Sequence, residues 1–190
     1  MNRRDTMTLL AGTLAASGMP AARAAESPAW AAPEFDIPRP ELVLELVVTC
    51  SKPESIGGDK ASKDGQRGTI WPIIGGTFVG MDIRGTVVPG GGDFPVIRPD
   101  GVTIIDALYR LKTDDGVTLI IHNKGLAIPG DTPAATRYRL SPDFTVPQGK
   151  YDWLNKGVFI ANLTIRVPQN KRLAKSENEN DRMIHVYRLA

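Results

Sequence analysis

Apolar and polar positions in this chain fall in short runs, and from Glu41 onward their period is two. The run at 41–49 (ELVLELVVT) is apolar and β-branched, with Glu41 and Glu45 on one face of the alternation, which predicts a strand. Further strand-like runs lie at 69–79, 82–88, 94–98, 102–113, 117–123, 135–140, 158–167 and 183–189. Gly, Pro, Asn and Asp punctuate almost every gap, and these are the residues that set turns and end strands. After Ala24 no apolar stripe with a 3.6-residue period reaches helix length. About eight short strands without crossover helices predict an all-β antiparallel barrel or sandwich. Closure into a single barrel is favoured because it removes exposed strand edges.

The stretches between the runs carry their own signals. Thr113-Asp114-Asp115-Gly116 is a hairpin signal, an Asp-Gly pair between two alternating strands. A two-residue turn on Asp115-Gly116 would pair Tyr109 with His122. A three-residue turn with Gly116 in a left-handed bulge would pair Asp106 with Lys124 as a surface ion pair of little worth. The polar stretch 51–68 reads as a loop, placed to act as a flap over a barrel mouth. Residues 170–182 (NKRLAKSENENDR) read as a long solvated connection between the last two strands. Gly75-Gly76 and Gly90-Gly91-Gly92 read as bends and bulges, where a barrel needs residues without a Cβ.

The first residues are a targeting signal rather than structure. Arg3 and Arg4 form a basic start, 7–19 is an apolar Ala/Leu-rich run, and Ala22-Arg23-Ala24 supplies a cleavage site. The paired arginines resemble a twin-arginine export signal, with Thr6 and Met7 where that signal usually carries Phe and Leu. The expected organisation is a cleavable signal at 1–24, a Pro/Ala-rich linker at 25–40 in which Trp30 and Phe35 stand, and one β-barrel domain at 41–190. The expected destination is the periplasm or the exterior. Cleavage after Ala24 removes Arg3, Arg4, Arg23 and Asp5, leaving 20 of the 23 basic and 20 of the 21 acidic residues. That balance gives no reason to expect a nucleic-acid partner or an acidic membrane surface. The chain's one cysteine, Cys50, rules out an intrachain disulfide. It reads as a small buried apolar residue before it reads as a reactive thiol.

Four stretches carry a likeness to a known family. They are Gly75-Gly76-Thr77-Phe78 with Gly80; Arg84-Gly85-Thr86-Val87-Val88-Pro89-Gly90-Gly91-Gly92-Asp93; Arg98-Pro99-Asp100-Gly101 followed by Asp106 and Tyr109; and Tyr151-Asp152-Trp153-Leu154-Asn155. In order and spacing they resemble the bacterial domain-of-unknown-function 3237 family, also called the uncharacterised protein family 0311 group. The likeness runs from about Leu42 to Leu189 and implies a compact β-barrel with a central cavity. It says little about substrate. Phe94-Pro95 stands where the family commonly has Trp and Gln, and the charged insert at 170–182 is longer than usual.

No familiar catalytic or cofactor motif is present: no nucleophile elbow, no phosphate-binding lysine loop, no dinucleotide fingerprint and no zinc-protease helix. No cofactor and no metal site are expected, since His122, His185 and Cys50 are too few for a structural zinc site. What remains is a set of polar residues in apolar strands. The candidate catalytic residues are Asp93, Asp106 and Tyr109, and the candidate ligand-binding residues are Arg98, His122, Asn123, Trp153 and Asn155. Alternation places Asp106 and Tyr109 on opposite faces unless a bulge intervenes. In one reading Asp93 or Asp106 pairs with Arg98 or Arg84 to brace the barrel. In the other, one carboxylate is raised in pKa by apolar surroundings and acts as general acid/base, while Tyr109 or Asn123 holds a substrate oxygen. Trp153, His122 and Asn155 have structural readings too: rim packing, a strand end, and satisfaction of loop backbone groups. The expected function is an exported barrel that holds an apolar or aromatic small molecule. The alternative is a cofactor-independent isomerase, cyclase or lyase. Whether the chain forms a homo-oligomer is left open.

Overall fold

In the computed structural model, residues 37–57, 60–165, 167, 169–171 and 180–190 are described. The expected export signal, the expected linker up to residue 36 with Trp30 and Phe35, and positions 172–179 of the charged connection lie outside the described residues. Ten strands are present among those described: β1 (Pro40–Cys50), β2 (Glu54–Ile56), β3 (Arg67–Gly80), β4 (Ile83–Asp93), β5 (Val96–Ile97), β6 (Thr103–Thr113), β7 (Thr118–Ile128), β8 (Arg137–Thr145), β9 (Phe159–Thr164) and β10 (Asn180–Leu189). All pairings are antiparallel, in the order β1-β10-β9-β8-β7-β6-β4-β3, and β3 returns to β1. The result is a closed eight-stranded barrel. The short strands β2 and β5 are additions, β2 extending β3 and β5 bridging β3 and β6. The described residues contain no α-helix, only short 3-10 turns.

Closure follows from the alternation. On β1, Leu44, Leu46, Val48 and Cys50 face inward, and Leu46 lies opposite Phe78 on one side and Ile184 on the other. On β6 the inward set is Ile105, Ala107, Tyr109 and Leu111, and on β7 it is Leu119, Ile121, Asn123 and Ala127. Each large apolar side chain withdrawn from water contributes about 1.5–3 kcal/mol.

Both glycine runs are bulges. The β3–β4 register shifts between Ile73 and Thr77, across Gly75-Gly76, and the β4–β6 register shifts between Val88 and Gly92. Strand β4 runs through the glycines to Asp93, so the two runs expected at 82–88 and 94–98 become one long strand and the short β5. A Cβ on Gly91 would stand 2.4 Å from Tyr109 Cβ and 2.7 Å from Leu108 O, so only glycine lets β4 lie this close to β6 at Tyr109. The hairpin takes the three-residue turn: Gly116 has φ +90° and donates to Thr113 O at 2.9 Å, and Asp106 lies opposite Lys124. The surface ion pair expected there does not form, because Asp106 turns to His122 instead (2.5 Å).

One end of the barrel is plugged. The 3-10 turn Asp152–Lys156 buries Leu154, and Tyr151 before it is buried as well. Phe144 and Phe159 meet edge to face beneath it, 5.1 Å between centroids. Asn155 pins the plug, accepting from Val146 N–H at 2.9 Å and donating to Val146 O at 2.8 Å. The charged connection lies earlier in the chain than its composition predicts, because β9 ends at Thr164. Strand β10 begins at Asn180, so Asn180 and Arg182 belong to the barrel wall.

Candidate functional site

The end opposite the plug is where the inward positions change character. Ladder register places Trp71, Asp93, Ala107 and Asn123 side by side on β3, β4, β6 and β7. Asp93 and Asn123 thus flank Ala107, the smallest side chain in the row. Tyr109 lies two residues deeper on β6. Tyr138 is the partner of Ala127, and Arg182 the partner of Val48, so both also face this end. Two small inward residues stand here, Ala107 and Ala127, whereas Leu154, Phe144 and Phe159 occupy the plugged end.

Asp93 is mostly buried. Its Oδ1 accepts the Asp106 N–H at 3.2 Å. Burial pushes its carboxyl up to about 6, against the opposing pull of the Asp106 N–H and the Arg182 guanidinium. Among the described residues, two further polar atoms have no hydrogen-bond partner of normal geometry: Tyr109 Oη and Asn123 Oδ1, both fully buried. Burial drives the Tyr109 hydroxyl's pKa well up, and the neighbouring Asn123 side chain opposes the shift without closing a regular bond to it. Tyr109 therefore stays a neutral donor. An unsatisfied buried polar group costs about 1–3 kcal/mol, and such groups persist where a water or ligand takes them up.

Trp71 and Arg182 form the outer wall, with the guanidinium carbon 4.5 Å from the indole centroid. Both are half-buried, as are Tyr138 and Leu163. A cleft of about 330 Å³ opens beside them, lined by Pro133, Ala134, Thr136, Tyr138, Leu163 and Ile165 with Thr164. Cys50 is buried at the end of β1, close enough to Tyr109 for its charge to matter.

Of the residues singled out in the sequence, Asp93, Tyr109 and Asn123 are brought together here. The others are not. Asp106 and His122 pair on the outer face of β6 and β7. Arg98 pairs with Asp100 in an exposed turn, and Arg84 with Asp114 (3.1 Å), so neither arginine braces Asp93. Trp153 packs near Phe159 at the plugged end, 6.3 Å between centroids, and Asn155 holds the plug. His185 contacts Glu45 and Asn162, again on the outer face. Both histidines thus lie outside, and Asp93 is a carboxyl that faces inward at this end. No cluster of three or more metal-binding side chains occurs among the described residues.

Three members of the site escaped the sequence reading. Tyr138 had a signal, since Arg137-Tyr138-Arg139-Leu140 alternates charge with bulk. Trp71 begins the inward set of β3, hidden by the following Pro72. Arg182 had none, because its strand starts inside a charged run.

A family described as "Protein of unknown function (DUF3237)" matches this chain over residues 38–189. A UPF0311 protein of Clostridium acetobutylicum is 33% identical over 142 residues, covering 68% of this chain and 87% of that protein. A solved structure of a protein with unknown function from Clostridium acetobutylicum superposes with a TM-score of 0.67 at 28% identity, covering 82% of this chain and 99% of the other. A β-barrel-like protein from Acinetobacter baumannii shares the fold, with a TM-score of 0.66 at 23% identity over 84% of this chain and all of its own.

Proposed function

We propose that this chain, which belongs to the DUF3237 family, binds a small conjugated carbonyl compound at the end of its barrel opposite the plug and shifts a proton on it, with Asp93 as general acid/base. The observation that carries this reading is the convergence of Asp93 with the unpartnered Tyr109 Oη and Asn123 Oδ1 in one buried row and the layer below it. A carboxyl near 6 is populated in both protonation states close to neutral pH, which suits it to proton transfer. As carboxylate, Asp93 takes a proton from a carbon next to the substrate carbonyl. The carbonyl oxygen gains the negative charge and is held by the Tyr109 hydroxyl. Asn123 Oδ1 accepts from a substrate hydroxyl. Asp93 then returns the proton at a second carbon, completing an isomerisation, or passes it to a leaving group on the next carbon as the enolate electron pair expels that group. None of these steps calls on a redox partner. The proposal includes export of the chain through the signal at 1–24.

A carrier reading is favoured by the mostly apolar lining of the rim cleft, and one experiment separates the two. Full-length chain is exported and purified, and its retained ligand is identified by mass spectrometry. Wild type is expected to convert that compound, Asp93→Asn to bind it without conversion, and Ala107→Leu to retain none because the added bulk fills the row between Asp93 and Asn123. Conversion by Asp93→Asn at the wild-type rate would overturn the acid/base role. Binding by wild type without conversion would leave a carrier.

A further inference from the structure

We infer that the ligand of this site is a planar aromatic or conjugated carboxylate, its ring against Trp71 and Tyr138 and its carboxylate on Arg182. The inference rests on the barrel-mouth reading above and names the class of molecule that fits it. Arg182 projects inward from β10 and lies over the Trp71 ring, 4.5 Å from its centroid. A cation–π contact of this kind holds the guanidinium on the ring face without using its N–H donors. Among the described residues, the one hydrogen bond those donors make is a long one, from Nη1 to Asp181 O at 3.4 Å. No carboxylate lies within ion-pair distance of Arg182 among the described residues, although its charge reaches both Asp93 and Tyr138.

A guanidinium held over an indole with N–H donors to spare matches a carboxylate's two oxygens. Two aromatic rings at the same mouth offer flat walls to a conjugated body, and the cleft of about 330 Å³ beside Tyr138 gives that body room. Asp93 sits deeper, at the end of β4. A ligand anchored at Arg182 by its carboxylate would extend its neutral end toward Asp93 and Tyr109.

Asp93 also gives this anion site a pH signature. The groups facing Asp93 are Arg182 on β10, Tyr138 on β8, the Tyr109 hydroxyl and the Asp106 N–H on β6, Asn123 on β7 and Trp71 on β3. Of these, Arg182 alone carries charge near neutral pH; the Asp106 carboxylate acts from the outer face. Ionised Asp93 repels an incoming carboxylate, and protonated Asp93 does not.

Isothermal titration of the full chain with 2-naphthoate and with its neutral isostere 2-naphthamide tests the inference. The carboxylate is expected to bind at least about tenfold more tightly than the amide. Arg182→Gln should remove that difference, and Arg182→Lys, which keeps the charge and loses the fork, should recover only part of it. Affinity for 2-naphthoate should rise as pH falls from 8 to 5 in wild type and stay level in Asp93→Asn. Equal binding of amide and carboxylate, or an unchanged preference in Arg182→Gln, would overturn the carboxylate assignment while leaving the aromatic mouth in place. Binding of neither probe would overturn the ligand class and count against the mouth as a binding site.

Discussion

Burial separates Asp93 from the solvated carboxylates around it. In the unfolded chain its carboxyl has the ordinary value of 3.8, and in the barrel it is pushed up to about 6. Below the unfolded value both states are protonated, and the folded state carries no burial penalty from this group. As pH rises toward and through 6, the fold must hold a charge in apolar surroundings, and stability falls by about 3 kcal/mol in all. Asp93→Asn removes that charge and keeps a carbonyl oxygen for the Asp106 N–H. The variant is expected to be more stable than wild type by about 1–3 kcal/mol at pH 7.5 and no more stable at pH 4, measured by urea denaturation at both pH values. A less stable variant at pH 7.5 would make ionised Asp93 a structural brace. Tyr109 and Asn123 could be singled out in the sequence as polar residues of apolar strands, and Asp93 as the carboxylate that closes the glycine run. Arg182 was not, since nothing in a charged run separates a wall residue from a loop residue.

At the level of elements, the hairpin and both bulges were legible, because Asp-Gly and glycine pairs have specific backbone uses. The extension of β4 through Pro89-Gly90-Gly91-Gly92-Asp93 was not. Its strand propensity is poor, and its pairing comes from Trp71–Ile73 on one side and Ala107–Leu108 on the other. That extension carries Asp93 into the interior, and Gly91 within it makes room for Tyr109. Gly91→Ala is expected to destabilise the fold by about 1–3 kcal/mol through overpacking. It should also displace the Tyr109 ring, seen as a change in that residue's NMR shifts, with the Thr113–Val117 turn unperturbed. An unperturbed Tyr109 would show that the close approach is not what seats the ring.

Across the whole molecule, alternation gave closure but not the difference between the two ends. Period-two patterning marks which residues face inward. It says nothing of which rows combine small and polar side chains, because that depends on register between strands far apart in sequence. Ladder pairing sets Ala107 between Asp93 and Asn123, and Arg182 beside Val48. The plug thus adds Leu154, Phe144 and Phe159 to one end, while Asp93, Asn123 and Arg182 stand among the inward positions toward the other, where the proposed chemistry sits. An NMR titration of the Asp93 side-chain carboxyl carbon, assigned by its loss in Asp93→Asn, tests this most directly. A midpoint near 6, shared by the Trp71 and Tyr138 ring signals, is the expected result. A midpoint at the ordinary carboxylate value, with those rings silent, would contradict it.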